Sequence, residues 1–192
     1  MSAHPQAAEC GGAPATGTSL DGLMNLSKGF ASTLARYKHW ADDVFLECVS
    51  QLPASELKAP RPIVFSSLIR TLNHSRAMDH VWRCNLLGQP HGFTSRNPEL
   101  CPEFEELRSS QLELDRWYIR YVRDLTDECL DQVVDFTFIG GGPGRMKRSD
   151  ILLHVVNHGT YHRGHAADML YTIGAFPPTT DLPVFLAEVG KD

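Results

Sequence analysis

"ILLHVVNHGTYHRGHAADMLYTIG", Ile151 to Gly174, carries both the periodicity and the chemistry of this chain. Ser149 or Asp150 ahead of it offers an N-cap, and Gly174 with Pro177 and Pro178 behind it supplies a stop. The spacing predicts one long helix. Four of the nine histidines fall inside it: His154, His158, His162 and His165. At about 100° per residue, with His154 as zero, His165 lies near about 20°, His158 near about 40° and His162 near about 80°. Leu152, Val155, Val156 and Met169 border that sector, so the stripe is expected to face the interior or a cleft.

Neighbours at i and i+4 on a helix stand about 5–6 Å apart at Cβ. Their imidazoles can converge on one divalent cation at about 2.0–2.1 Å each. One partly buried histidine is usually just hydrogen-bonded. Four together would repel when charged, and each unpaired buried polar group costs about 1–3 kcal/mol. A cation offsets both penalties. The spacing permits a His154/His158 pair and a His158/His162 pair equally. Gly159 and Gly164 each cost about 1 kcal/mol against alanine inside a helix, and are expected where another element or a ligand comes close.

Working back along the chain, "VVDFTFIGGGPGRMKRSD" pairs strand formers Val133, Val134, Phe136 and Phe138 with a glycine-rich turn. It reads as a small β-hairpin before the last long helix. A third helix is expected from about Glu103 to Leu125, with Phe104, Leu107, Leu114, Tyr118, Tyr121 and Leu125 inward. A second fits "SSLIRTLNHSRAMDHVWRCNLLG", capped by Ser66 or Ser67 and ended by Gly88 and Pro90. A first runs from about Asp21, through Leu23, Leu26, Phe30, Leu34, Tyr37, Ala41, Phe45 and Val49, to the region of Pro53. Four long helices with little strand predict an all-α four-helix bundle. The links after the second and third helices exceed the usual span of about 2 to 8 residues and leave room for crossover connections. Residues 1–19, rich in Ala, Gly, Pro and Ser, read as a mobile tail with His4 and Cys10 in it; 20–192 reads as one bundle domain, with "DLPVFLAEVG" packing back on it.

The formal net charge of -5 argues against a nucleic-acid partner, which needs a basic face. No apolar run reaches the roughly 20 residues of a membrane span, and no secretory signal pattern stands at the start. The five scattered cysteines, Cys10, Cys48, Cys84, Cys101 and Cys129, form no CxxC and fit reduced thiols in a cytoplasm.

"TLNHSRAMDHVW" adds His74 on the second helix, from which it can supply a ligand across the bundle. His80 falls about 120° away and reads as a surface histidine; His39 and His91 carry no usable pattern. With "LLHVVNHGTYHRGH" and "ARYKHWADDVFLECVSQLP", these stretches resemble the DinB/YfiT-like superfamily in its DinB branch, over about residues 21 to 188. The resemblance implies a four-helix bundle with crossovers, often a homodimer, and a divalent metal held by three histidines, here His74, His158 and His162. His165 replaces the family's usual glutamine, and His154 is left as a supporting or core histidine.

Three imidazoles without a carboxylate leave an open position, the pattern of a catalytic rather than a closed site. Neutral imidazole suits zinc, nickel, copper or iron, and zinc or nickel is expected. Relatives in the wider superfamily handle low-molecular-weight thiols, among them maleylpyruvate isomerases and bacillithiol or mycothiol S-transferases. The expectation is a metal-dependent enzyme acting on a small-molecule substrate, with a thiol cofactor in an S-transfer or isomerisation. The alternatives are a non-enzymatic metal-binding stress-response protein and a metal-dependent hydrolase. Asp79 and Arg163 are expected either to touch ligand or substrate, or to be an ordinary helix carboxylate and a salt-bridge arginine.

Overall fold

A computed structural model describes residues 26–189. The tail assigned to residues 1–19, with His4 and Cys10, lies outside the described residues, as do Asp21 and Leu23. Four long helices make the bundle: α1 (Lys28–Ser50), α3 (Leu68–Leu87), α4 (Phe104–Arg123) and α6 (Arg148–Tyr171). Three short helices punctuate it: α2 (Ala54–Lys58), α5 (Asp127–Asp131) and α7 (Leu182–Val189). Antiparallel strands β1 (Val133–Thr137) and β2 (Pro143–Lys147) form the predicted hairpin, with Phe136 opposite Gly144. Gly140, Gly141 and Gly142 turn it with φ of 92°, 98° and 91°. None of the helices is long and apolar enough to cross a membrane, among the described residues.

Helices α1 and α3 each pack against both α4 and α6, so α1 stands diagonally from α3, and α4 from α6. The chain crosses the bundle between α1 and α3, by way of α2, and between α4 and α6, by way of α5 and the hairpin. The long link after α3 joins two neighbours instead.

Helix ends follow local chemistry. Ser27 caps α1 by accepting from the Phe30 N–H at 3.3 Å. The helix therefore starts later than the apolar pattern suggests; Leu26 and Ser27 are not helical, and Phe30 is 50% exposed. Ser67 caps α3, and Gly88 closes it at φ 64°. For α6 the expected caps Ser149 and Asp150 are already helical. Strand β2 runs straight into the helix, and the Arg148 N–H donates to the Gln132 carbonyl at 2.9 Å. The C-terminal segment packs back as expected, with Phe185 buried against Tyr37 and Trp40.

At the centre of the bundle lies a feature the apolar pattern hides. Lys38 of α1, 2% exposed, meets Asp42 at 2.8 Å, Asp79 of α3 at 2.7 Å and Asp115 of α4 at 2.5 Å. Arg163 of α6 meets Asp42 at 2.8 Å. Gln111 donates to both Asp79 and Asp115, and the Tyr118 hydroxyl donates to the Asp79 carbonyl. Lys38 reaches this place across Gly159, where an added Cβ would lie 3.2 Å from its Cε. Gly159 thus marks a close approach by a side chain. Gly164 has nothing within 4 Å of such a Cβ and no such reason.

Alanine gains about 1 kcal/mol over glycine in a helix interior, and the two glycines should respond oppositely. Gly164→Ala is expected to raise the unfolding free energy by roughly that amount, and with it the urea midpoint. Gly159→Ala is expected to lower it, because three carboxylates hold Lys38 where it cannot give way. Equal gains in both variants would contradict the close approach.

Candidate metal centre

His74 projects from α3, and His158 and His162 stand one turn apart on α6. One nitrogen from each forms a group within 4.8 Å of one another, an arrangement that could hold a metal ion. The Nε2 atoms of His158 and His162 are 3.1 Å apart. His74 and His162 are buried and His158 half-buried.

The outer bonds decide which nitrogens face inward. His74 Nδ1 lies 2.6 Å from the Arg96 carbonyl, which fixes its proton there and leaves Nε2 unprotonated for a ligand. The Nδ1 atoms of His158 and His162 are buried without a partner among the described residues. With protons on both, their Nε2 lone pairs face each other at 3.1 Å. A cation relieves that repulsion, so the donor set fits a divalent metal. Phe65 closes one side, stacked on His74 at 4.3 Å and edge-on to His162 at 5.4 Å. The turn that carries it holds Ser66 at φ 66°, a left-handed conformation that is uncommon outside glycine. Its amide donates to Ile63 and its carbonyl accepts from Arg61, which pins the turn.

Burial, then His162, His74, His154 and Lys38, push the His158 pKa down to about 3. Burial, then His74 and His165, push His162 down to about 4. Burial also lowers His74, against its bond to the Arg96 carbonyl. All three imidazoles are therefore neutral near pH 7, the form that binds metal.

The other two histidines of the stripe stand beside the group. His154 is 5.6 Å from His158, ring to ring, and packs on Trp82 at 5.0 Å. His165 is 5.7 Å from His162 and rests against the exposed Tyr161. Asp79 and Arg163 touch no solvent-facing site, since both belong to the buried ion-pair network. Nor is His80 a surface residue; it is half-buried beside Cys84 and Phe93. The sequence reading missed Lys38 and Asp115. One signal was available: each sits in apolar register, Lys38 between Leu34 and Ala41, Asp115 between Leu114 and Tyr118.

A cavity of about 310 Å³ opens beside the group, and His74, His158 and His154 line it. A far smaller void, about 20 Å³, lies behind His162 among Asp42, Gln111, Arg163 and Ser75. It has room for one water that could pair with an orphaned ring N–H.

The lowered histidine pKa values make a stability prediction for the metal-free protein. The unfolded chain takes up histidine protons near about pH 6.5. The folded chain protonates His158 and His162 only near 3 and 4. The unfolded state therefore binds more protons below about pH 6.5, and folding stability falls as pH drops from there. Asp115, pushed up to about 7 by burial and by the carboxylates of Asp42 and Asp79 against the pull of Lys38, acts in the opposite sense. Comparison with a His158→Gln/His162→Gln variant cancels that contribution. The wild-type urea midpoint is expected to fall more steeply with acid than the variant's; parallel curves would contradict it.

The DinB family model matches residues 24–190. Protein DinB of Bacillus subtilis (strain 168) is 28% identical over 163 residues, covering 82% of this chain and 94% of that protein. The crystal structure of a DinB-like protein from Bacillus cereus aligns with a TM-score of 0.64 and 19% identity, over 81% of this chain and 99% of that one. At that identity the structural likeness speaks for the fold alone. With the family match spanning all of the described residues, the chain belongs to the DinB family.

Proposed function

We propose that this DinB-family chain is a metal-dependent enzyme acting on a small molecule, with His74, His158 and His162 as the ligands of a divalent cation, zinc or nickel. One observation carries the reading: a neutral three-imidazole group without a carboxylate stands beside a small-molecule-sized cavity, with two of its members, His74 and His158, in the cavity wall. A closed structural site would have four protein ligands and no such opening. A bound cation would lower the pKa of a water or thiol taking the open position.

The protein's part is to hold that position dry and directed. His74 is oriented by the Arg96 carbonyl, Phe65 shields one side, and the cavity admits a substrate on the other. The thiol is a diffusible low-molecular-weight cofactor, used in an S-transfer or isomerisation. Among the described cysteines, Cys48, Cys84 and Cys101 have thiols pushed up by burial, and none belongs to the histidine group. The reading includes a homodimer in a reducing cytoplasm and no nucleic-acid partner.

Protein purified without a nickel column should carry about one equivalent of metal per chain. In titrations of apo protein, His74→Ala, His158→Ala and His162→Ala should each weaken binding at least about ten-fold, with His154→Ala costing less. A silent His74→Ala with a severe His154→Ala would overturn the ligand assignment. Cobalt-substituted protein tests the thiol: glutathione, mycothiol or bacillithiol should add a sulfur-to-metal charge-transfer band that His162→Ala abolishes. A normal cobalt spectrum that no thiol perturbs at millimolar concentration would overturn thiol chemistry. In that case turnover through a water ligand would point to a hydrolase, and no turnover to a non-enzymatic metal-binding protein.

A further inference from the structure

We infer that the cavity beside the histidine group selects a small carboxylate with an apolar, ring-sized body, its charge held by Arg96 and its body laid on Trp82, Phe136 and Phe138. This deepens the reading above and rests on it only for the cavity being a substrate site. The cavity has one apolar wall and one cation. Trp82 meets Phe136 edge-on at 5.0 Å, and Phe136 meets Phe138 at 5.0 Å, so the three rings form a continuous surface. Phe138 is 45% exposed and stands at the open side. Such a wall suits a planar or branched apolar group.

Arg96 is placed with unusual definition for a loop residue. Its carbonyl holds the His74 ring, so the segment that carries it is fastened to the histidine group. Arg96 lines the cavity, and its guanidinium is near enough to His74 to oppose a charge on that ring. Among the described residues its guanidinium has no ion pair or side-chain hydrogen bond. No aspartate or glutamate lines the same cavity. On a chain with net charge -5, that makes a locally positive pocket with an unspent planar donor, suited to two-point recognition of a carboxylate.

The other recesses lack this combination. The apolar hollow of about 400 Å³ near His165 has Arg61, but that arginine is committed to Glu56, and Asp168 shares the wall. A larger one, about 780 Å³, mixes Arg76 with Glu99 and Glu106 and has no residue of the histidine group.

Calorimetry on zinc-loaded, full-length protein with 3-phenylpropionate and the isosteric neutral 3-phenylpropionamide tests the inference. The acid should bind at least about ten-fold more tightly than the amide, the increment of one charged hydrogen-bonded pair. Arg96→Gln, which keeps the backbone bond to His74, should bring the two within about two-fold, and Arg96→Lys should restore part of the preference. Chelated protein should retain the preference. Equal binding of acid and amide overturns the inference. So does a preference that survives Arg96→Gln and vanishes on chelation, since the carboxylate then sits on the cation. Metal content measured on each preparation keeps the two readings apart: a chain that takes up no metal sinks the proposed function, while the acid-over-amide comparison still decides the role of Arg96.

Discussion

Everything in this bundle is arranged around one buried ammonium group. Removing a charge from water costs several kcal/mol, and only close, well-directed partners offset it. Lys38 has three, drawn from α1, α3 and α4, and Asp42 carries the link on to Arg163 of α6. Burial lowers its pKa, but Asp115, Asp42 and Asp79 more than offset that, so it stays charged. Two cations against three carboxylates leave one negative charge in excess. Burial raises Asp115 to about 7, so the surplus is cancelled by a proton near neutrality. The ion pairs tie α1, α3 and α4 together, and the Asp42–Arg163 pair adds α6, so the network joins the helix that carries His74 to the one that carries His158 and His162.

The bundle and the histidine group were legible in the sequence because both depend on periodicity. Apolar spacing marks the faces of α1, α3, α4 and α6, and serine or glycine marks both ends of α3 and the start of α1. His158 and His162 announce themselves because i and i+4 are neighbours on any helix. His74 could be offered as a ligand from its place mid-helix, but the family resemblance was needed to pair it with His158 and His162, since nothing local says which residue of α3 faces which residue of α6. The ion-pair network is the opposite case. A lysine in an apolar register looks like an imperfection until its partners on other helices are known. Asp79 and Arg163 were noticed as chemistry-bearing residues, yet their partners lie 41 and 121 positions away in Lys38 and Asp42, and no spacing rule spans that. The short helices α2 and α5 went unseen because one turn carries too little periodicity to register.

The cavity is assembled from two kinds of segment. Its histidines stand on long helices locked together by the ion-pair network, whereas its aromatic wall comes largely from the hairpin, and Arg96 from the link after α3. Within the hairpin a single small residue sets the wall: a Cβ on Gly144 would lie 2.2 Å from the Phe136 ring, so any larger residue would drive that ring from its place. The surfaces that would choose a ligand thus lie largely on other segments than the residues suited to hold a metal. A lineage can lengthen the hairpin, change the residue opposite Phe136 or rewrite the link, and so acquire a new clientele, while the helices beneath pass on unaltered.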